Sequence, residues 1–301
     1  MQYDIAVIGA GIAGMTAAIY ARRAGKSVVI FEKESIGGQI SLSPKVENYP
    51  GFTAVSGLEL SDQVFAQASA LGAELEVDEV LSVEKEGSLF RVKAAYTEHE
   101  AKAVIIASGL KHRRLEAAEP FEGRGVSYCA VCDGAFYRGK TVAVVGGGNT
   151  AVSEAIYLSD ICEKVCLIHR RTGYRAEKAV MDTLLSKPNI VRLENKVVER
   201  AEGEAKIEKL VLRDTADDSL SELPVDGLFV ALGHIPQNAA FEGLIELDGS
   251  GFAASDETTL TRTPGVFVAG DCRAKPVRQL TTAAADGASA GLAAAKYIDG
   301  L

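Results

Sequence analysis

The spacing of apolar residues predicts two similar units along the chain. Mostly apolar runs at residues 3–8 and 27–31 predict two short buried strands, and residues 12–24 between them predict a helix that ends at Gly25. The same strand, turn, helix and strand return later, at residues 141–145, 146–148, 149–160 and 164–168. The pattern therefore predicts a duplicated βαβ unit in an α/β protein.

Shorter segments follow each unit and predict antiparallel meanders. After a predicted helix at residues 57–71, the first meander comprises residues 80–83, 90–94 and 101–106. The second comprises residues 190–193, 197–200, 207–212 and 228–231, with the acidic stretch 214–219 as a solvated hairpin loop. A strand at 266–269 and a helix from about 279 to 298 end the chain. We expect this tail to complete the first domain, so that the second domain is an insertion.

Composition narrows the class of function. The chain has 301 residues, enough for two domains, and its 32 basic and 41 acidic residues give a net charge of −9, which disfavours binding to nucleic acid. The uncharged stretch 5–21 lacks a preceding basic residue and contains three glycines, so a turn is favoured over a signal peptide or a membrane span. Five cysteines, two of them in Cys-x-x-Cys, favour redox chemistry in a reducing cytoplasm.

The first glycine-rich turn predicts a dinucleotide site. Gly9, Gly11 and Gly14 form G-x-G-x-x-G between a strand and a helix, where backbone N–H groups and the helix dipole bind a pyrophosphate. Glu32 ends the next strand, where a carboxylate accepts hydrogen bonds from a ribose 2′-hydroxyl and repels a 2′-phosphate. The ligand is therefore an unphosphorylated dinucleotide, and spacing alone leaves FAD and NAD open.

The second glycine-rich turn is followed by basic residues at the place where the first is followed by Glu32. It is the G-x-G-x-x-A variant at residues 146–151, with Gly146, Gly148, Asn149 and Thr150 as the expected contacts. The next strand leads into a basic cluster that suits a 2′-phosphate: His169, Arg170, Arg171 and Arg175. A solvated loop is the alternative explanation for the arginines. The cluster predicts NADPH.

A Cys-x-x-Cys pair, Cys129 and Cys132, lies between the two turns. Such thiols often have lowered pKa values, which favours thiol–disulfide exchange. Since NADPH delivers a hydride whereas a disulfide is reduced through thiolates, a flavin is the natural intermediary, and this selects FAD for the Glu32 site. The structural alternative is a zinc site completed by Cys162 and Cys166, although both also suit a core.

Two residues beside these sulfurs have open roles. Asp133 could move the proton that the exchange requires, or it could cap the turn that it forms with Gly134. Cys272, beside Asp271, is interpreted as a packing residue near the cofactor.

These motifs resemble those of low-molecular-weight, bacterial-type thioredoxin reductases over essentially the whole chain. The segments that carry the resemblance are residues 9–14, 37–39, 47–51, 129–137, 146–151, 169–175, 233–236, 269–271 and 278–279. The resemblance implies two three-layer Rossmann-like domains: a discontinuous FAD domain at 1–115 and 241–301, and an inserted NADPH domain at 116–240. It also implies a cytoplasmic homodimer that reduces thioredoxin or a thioredoxin-like protein.

The resemblance implies further roles for individual residues. Cys132 would face the flavin, Cys129 would exchange with the protein substrate, and Asp133 would be the acid and base. The expected contacts of the flavin ring and ribityl chain are Gly38, Gln39, Asn48, Asp271, Arg278 and Gln279. The remaining predicted cofactor contacts are Ala13, Val80, Ala107, Gly109 and Gly270.

The chain departs from the family pattern at two positions near the dithiol. Ala135 stands where relatives often have a bulky aromatic residue, so partner preference is open. Val131 replaces a frequent threonine, a modest change at a position that packs without performing chemistry. Because the dithiol and the NADPH turn share one domain and both must reach one flavin, that domain is expected to swivel, with hinges near 113–119 and 233–240.

Three other functions would use some of the same sequence features. The same fold could draw electrons from ferredoxin or another donor, or it could act as a dithiol oxidase. A zinc-stabilised nucleotide-sensing module is the non-enzymatic alternative.

Overall fold

The computed structural model describes residues 1–43 and 45–301. The chain separates into two compact units, which we call unit 1 (Met1–Lys111 and Ile235–Leu301) and unit 2 (His112–His234). Each unit contains one of the two glycine-rich turns, and each is described by itself below.

The first chain segment of unit 1 contains two helices and seven strands. In chain order they are β1 (Gln2–Ile8), α1 (Ile12–Arg23), β2 (Val28–Glu32), α2 (Gly57–Ala70), β3 (Glu74–Val77), β4 (Val80–Glu86), β5 (Leu89–Ala94), β6 (Glu98–Ile106) and β7 (Leu110–His112). The strands β1, β2, β4, β5 and β6 and both helices confirm the sequence pattern, while β3 and β7 were not predicted.

Unit 2 contains three helices and eight strands. They are β8 (Val126–Ser127), α3 (Ala130–Asp133), β9 (Thr141–Val145), α4 (Asn149–Ser159), β10 (Lys164–His169), α5 (Lys178–Leu185), β11 (Ile190–Glu194), β12 (Lys196–Glu202), β13 (Lys209–Asp214), β14 (Leu220–Pro224) and β15 (Gly227–Val230). The chain then forms β16 (His234–Pro236), β17 (Val266–Val268) and α6 (Leu280–Asp299). Short 3₁₀ turns lie at Gly38–Leu42, Glu116–Phe121, Gly134–Tyr137, Ala239–Phe241 and Gly270–Cys272.

One long strand joins both halves of the sheet in unit 1. Strands β3, β2, β1 and β6 are parallel neighbours, and β5 and β4 continue antiparallel from β6. Near its start β6 pairs with β5, and over Val104–Ile106 it pairs in parallel with β17 from the tail. The parallel layer and the meander therefore share β6.

The last four residues of β1, Ile5–Ile8, are all apolar because both faces of the sheet are covered there. Ile5 and Val7 point into a core formed with α1 and α6, while Ala6 and Ile8 point into a second core with Phe90 and Phe241. Helix α6 packs closely on α1, since a Cβ on Gly287 would lie 2.2 Å from the Ala13 carbonyl oxygen. The tail is thereby held against the start of α1.

The sheet of unit 2 corrects one prediction. Its order is β11-β10-β9-β15-β8 and its pairings are parallel, whereas β12, β13 and β14 form a separate antiparallel sheet. Residues 190–193 and 228–231 were predicted in the meander, but the strands that form there, β11 and β15, pair in parallel with β10 and β9. Short apolar runs do not reveal their partners, and all four residues of β15 are buried, as in a central parallel strand.

Strands β7 and β16 form a two-stranded sheet. Among the described residues, no helix combines the length and the apolar character needed to cross a bilayer.

Candidate functional site

The first glycine-rich turn brings α1 directly onto the end of β1. A Cβ on Gly9, whose φ is +106°, would lie 2.4 Å from the Ala107 carbonyl oxygen, and a Cβ on Gly14 would lie 1.9 Å from that of Gly9. Neither position tolerates a side chain. A Cβ on Gly11 would meet no atom closer than 4.0 Å, and Gly11 caps α1 without a side-chain hydrogen bond. The first N–H groups of α1 are therefore left as donors for a pyrophosphate.

The Glu32 carboxylate is fixed beside this turn. Its Oε2 accepts a hydrogen bond from the Ala10 N–H over 2.8 Å, and its Oε1 accepts one from the Glu34 N–H over 2.8 Å. Each carboxylate oxygen keeps further acceptor capacity. The arrangement fits a ribose whose 2′-hydroxyl donates to Glu32.

The residues expected at the flavin ring all lie in unit 1, where they contact other residues of that unit. Asn48 donates a hydrogen bond to the Gln279 side-chain oxygen over 3.1 Å, so two predicted contacts from distant segments meet. Gln39 donates to the Leu110 carbonyl oxygen over 2.8 Å, and the Arg278 guanidinium stacks 4.1 Å from the Phe252 ring centroid.

Asp271 is a partly exposed residue with one buried carboxylate oxygen. Its Oδ1 is buried, accepts no well-aligned hydrogen bond from the described residues, and lies 3.3 Å from the Lys275 ammonium. Burial raises the pKa of Asp271, and the Lys275 charge only partly opposes this. A Cβ on Gly270 would lie 2.8 Å from the Ala13 Cβ, which brings Asp271 close to the glycine-rich turn. A hydroxyl-bearing ligand would satisfy this orphaned oxygen.

The other predicted contacts are mostly parts of the backbone frame. Val80 is buried in β4 within the second core, and Ala107 is buried immediately after β6. Gly38 and Gly109 have φ values of +57° and +66°. These positions contribute shape, because their side chains carry no polar group.

The second glycine-rich turn is packed against the end of the next strand. Gly146 has φ +156°, and its Cβ would lie 2.5 Å from the Ala231 carbonyl oxygen. A Cβ on Gly147 would lie 2.0 Å from the His169 ring, so this position also needs glycine. A Cβ on Gly148 would meet nothing within 4 Å, which leaves open space beside the start of α4.

Hydrogen bonds tie the basic loop to this turn. The Arg175 N–H donates to the Gly147 carbonyl oxygen over 2.7 Å. Asn149 and Glu177 form two hydrogen bonds, from the Asn149 amide to Glu177 Oε1 and from the Glu177 N–H to Asn149 Oδ1. The His169 ring stacks on Tyr174 at 5.1 Å. The loop therefore has a defined path around the turn.

The basic side chains beside this turn are available to an anion. The Arg170, Arg171 and Arg175 side chains are exposed, and among the described residues none of them takes part in an ion pair. Burial lowers the pKa of His169, and the three arginines lower it further. His169 is thus neutral at pH 7, while the guanidiniums supply the positive charge that a 2′-phosphate requires.

The redox-active segment follows β8. Cys129 and Cys132 are joined by a disulfide, with their Cα atoms 5.3 Å apart, and the Cys132 N–H donates to Cys129 Sγ over 3.2 Å. Cys129 is half-buried and Cys132 is exposed. The other thiols, Cys162, Cys166 and Cys272, are free and buried. The four-sulfur zinc arrangement is therefore not the one observed, and among the described residues no cluster of three or more potential ligands is arranged for a metal.

Asp133 is held beside this disulfide. Its Oδ2 accepts a hydrogen bond from the Ser127 hydroxyl over 2.6 Å, and Ser127 also accepts one from the Cys129 N–H over 3.1 Å. Burial raises the pKa of Asp133, and the Ser127 hydrogen bond opposes part of this rise. A carboxyl whose pKa is raised toward neutrality is suited to proton transfer.

Glu154 is a further carboxyl of this region that the sequence analysis did not single out. Its Oε2 is buried without a hydrogen-bond partner among the described residues. Burial raises the pKa of Glu154 to about 7, although a hydrogen bond from the Ala130 N–H acts to lower it. Ala130 lies inside the Cys-x-x-Cys segment. The available signal was helical spacing, since Glu154 shares a face of α4 with the buried Ala151 and Leu158.

Two dinucleotide turns and one redox-active disulfide define a flavin-dependent disulfide oxidoreductase. The chain belongs to the family described as pyridine nucleotide-disulphide oxidoreductase, which it matches over residues 3–288.

Known relatives narrow this assignment. The chain is 42% identical to thioredoxin reductase from Listeria innocua, over 99% of this chain and 95% of that protein. The crystal structure of thioredoxin reductase from Streptococcus pyogenes matches with a TM-score of 0.95 and 37% identity, covering 100% of this chain and 99% of that one. A ferredoxin-flavin thioredoxin reductase from Clostridium acetobutylicum matches with a TM-score of 0.55 and 30% identity, covering 100% and 99%.

These relatives confirm the predicted resemblance and the two-domain Rossmann-like fold. FAD and NADPH are the cofactors of this family of reductases and of this chain. The orphaned Asp271 oxygen, the Glu32 carboxylate and the open basic loop fit these two groups.

Proposed function

We propose that this protein is a thioredoxin-disulfide reductase that uses FAD and NADPH. The Cys129–Cys132 disulfide carries the proposal, because it lies in the same unit as a nucleotide turn beside three arginines that form no ion pair with the described residues. The names and full-length identity of the relatives support the same activity. The partner would be thioredoxin or a protein with a similar disulfide.

The proposed NADPH domain spans residues 116–240. Backbone groups at Gly146, Gly148, Asn149 and Thr150 would hold the pyrophosphate, where α4 begins without a side-chain cap. The 2′-phosphate would be held by the loop that follows β10, through His169, Arg170, Arg171 and Arg175. A neutral His169 donates one N–H, so the arginines supply the charge.

The proposed FAD domain spans residues 1–115 and 241–301. Glu32 would accept the adenosine ribose, Asp271 would accept a ribityl hydroxyl, and Asn48 with Gln279 would lie at the ring. When bound, FAD accepts a hydride from NADPH and passes two electrons to the disulfide. The remaining steps belong to side chains of this protein.

Thiol–disulfide exchange would proceed through Cys129. Its thiolate attacks one sulfur of the oxidised partner, which forms a mixed disulfide and releases the partner's other sulfur as a thiolate that takes up a proton. Cys132, once deprotonated, then attacks Cys129 Sγ and restores the intramolecular disulfide, which breaks the mixed disulfide; the partner's sulfur leaves as a thiolate and takes up a proton, so the partner is released as a dithiol. Asp133 would accept the proton of the Cys132 thiol in this second step.

Two features of the assembly belong to the same proposal. Since the dithiol and the NADPH turn lie in one unit and each must reach the same flavin, unit 2 would rotate about hinges near residues 113–119 and 233–240. A disulfide engineered to lock the two units should abolish turnover, and full activity of the locked protein would contradict the rotation. Resemblance to the family supports a cytoplasmic homodimer, which sedimentation of the purified protein would test.

The decisive assay is NADPH oxidation coupled to reduction of a thioredoxin from the same cell. We expect turnover that requires thioredoxin and is much faster with NADPH than with NADH. The similarity to a ferredoxin-flavin thioredoxin reductase provides a second candidate, in which ferredoxin supplies the electrons. Stopped-flow mixing separates the two, because absence of rapid flavin bleaching by NADPH together with reduction by ferredoxin would replace our proposal with that one.

A further inference from the structure

A buried hydroxyl links the first redox-active cysteine to the acid that follows the second. Ser127 ends β8, and only 6% of its surface is exposed. Its hydroxyl contacts Asp133 Oδ2 at 2.6 Å and the Cys129 N–H at 3.1 Å. One side chain therefore touches both the Cys129 peptide and the Asp133 carboxyl.

The direction of these hydrogen bonds follows from the groups involved. A backbone N–H only donates, so the Ser127 oxygen is the acceptor toward Cys129. The single hydroxyl proton remains for another contact, and Asp133 Oδ2 at 2.6 Å is much closer than the Cys129 carbonyl oxygen at 3.4 Å. A hydroxyl that donates to a carboxylate favours the ionised form of the acid.

We propose that Ser127 is a positioning residue that aims the Asp133 carboxyl at the redox-active dithiol and favours its ionised state. The inference rests on the proposed function, because it assigns a role within the same exchange. Asp133 must be ionised to accept the proton from the Cys132 thiol while the new Cys132–Cys129 bond forms. Burial acts against ionisation of Asp133, and the Ser127 hydrogen bond is the interaction that opposes it.

Other titratable groups face this segment and must be separated from Asp133. Tyr137 follows in the next turn, and burial together with the Asp133 charge raises its pKa. Glu154 reaches the segment from α4, with a pKa of about 7. A shift of the pH profile alone would not show which carboxyl has moved, so the test needs a background without the Asp133 acid.

The experiment compares Ser127→Thr with Ser127→Val, which add nearly the same volume and differ in the hydroxyl. The pH profile of kcat/KM for thioredoxin reduction is measured in the FAD-loaded protein, and the Asp133 carboxyl is titrated by infrared difference spectroscopy. We expect the Asp133 transition to rise by about one pH unit in Ser127→Val, a tenfold change in its proton affinity, and to stay near the wild-type value in Ser127→Thr.

Two controls make the result specific to Asp133. Adding Ser127→Val to an Asp133→Asn background should leave the remaining pH profile unchanged, because the group on which Ser127 acts is gone. Ser159→Ala removes another buried hydroxyl of unit 2, one that donates to the Ile156 carbonyl oxygen on α4 over 2.6 Å, and should produce no shift.

The inference is overturned if the Thr and Val variants titrate alike, or if the shift persists in the Asp133→Asn background. If either variant fails to fold, infrared titration of folded Ser127→Ala replaces it, with the same expected rise. Failure of the proposed function is a separate result, since thioredoxin reduction by a Cys129→Ser protein would refute the reductase assignment whatever Ser127 does.

Discussion

The two units use one βαβ frame and differ at the end of its second strand. In unit 1 this strand ends at Glu32, whose two carboxylate oxygens are fixed by backbone N–H groups. In unit 2 the corresponding strand ends at His169 and leads into three arginines that form no ion pair with the described residues. The frame supplies the pyrophosphate site, and the strand end selects between a 2′-hydroxyl and a 2′-phosphate.

The glycine-rich turns also differ, because unit 1 has Gly14 where unit 2 has Ala151. A substitution at this position should have the largest effect on cofactor binding. We expect Gly14→Ala to lower FAD affinity about 100-fold, which corresponds to about 2.8 kcal/mol. The physical reason is that the new Cβ would lie 1.9 Å from the Gly9 carbonyl oxygen, so the turn must shift. Fluorescence titration of the apoprotein with FAD measures the loss.

The equivalent position of unit 2 already carries Ala151, which provides the matched control. Ala151→Gly should cost about 1 kcal/mol of stability through lower helix propensity and should leave FAD affinity unchanged. If Gly14→Ala binds FAD like the wild type, the turn does not form the FAD site.

The arginine loop should set the choice of coenzyme. Replacing Arg170, Arg171 and Arg175 together by glutamine should lower kcat/KM for NADPH about 100-fold and change that for NADH less than about threefold, because charge-assisted bonds to the 2′-phosphate are lost. Steady-state kinetics with both coenzymes measure this. Arg200→Gln, in the meander of the same unit, serves as the control, and an equal loss for both coenzymes would contradict phosphate recognition.

Two buried carboxyl groups, Asp286 in unit 1 and Glu154 in unit 2, differ in their partners. In unit 1 burial acts to raise the pKa of Asp286, but hydrogen bonds from Arg273 and Lys275 outweigh it and lower that pKa below its ordinary value. In unit 2 no cation among the described residues offsets the burial of Glu154, and its pKa is raised to about 7. Asp286 therefore stabilises the fold at neutral pH and loses this contribution in acid, whereas an ionised Glu154 destabilises it.

The third prediction follows from the direction of the pKa shift of Glu154. Its ordinary pKa is 4.5 and the folded value is about 7, so the folded state binds more protons between these pH values and stability falls as pH rises through this window. Glu154→Gln should be more stable than the wild type by about 2–3 kcal/mol at pH 8 and equal to it at pH 4. Urea unfolding at both pH values tests this, with exposed Glu163→Gln as the control. A difference that is the same at both pH values would show that titration is not the cause.

The smallest expected effect concerns Glu32. Glu32→Gln keeps an acceptor near the Ala10 N–H but loses the charge, so FAD affinity should fall about tenfold, or about 1.4 kcal/mol. FAD titration of the apoprotein measures it, with Glu84→Gln on β4 as the control. Unchanged affinity would mean that the ribose contact lies elsewhere.

Local patterns gave the parts of the fold that depend on neighbouring residues. The strand at 141–145 and the helix starts at Ile12 and Asn149 were predicted correctly, because glycine turns and apolar periods are properties of short segments. The choice of pairing partner does not depend on neighbouring residues alone, so 190–193 and 228–231 were predicted in the wrong sheet. Helix α5 and strand β14 were missed, and β14 is mostly exposed, which weakens an alternating pattern.

The same distinction holds for the site. The turns, Glu32, the arginines and the Cys-x-x-Cys pair could be recognised because their chemistry resides in consecutive or regularly spaced residues. Ser127 and Glu154 could not, because their importance depends on which group each contacts: Asp133 for Ser127 and the Ala130 N–H for Glu154. Only the three-dimensional structure shows whether a polar atom is buried and which hydrogen-bond partners it has.

The most direct test of the account is NADPH-driven reduction of thioredoxin by a Cys129→Ser, Cys132→Ser protein that retains FAD. The account predicts that NADPH still bleaches the flavin while thioredoxin reduction falls to the background rate, since unit 2 retains its arginines and loses only its disulfide. Thioredoxin reduction at the wild-type rate in this variant would contradict the assignment of the Cys129–Cys132 pair as the route of the electrons.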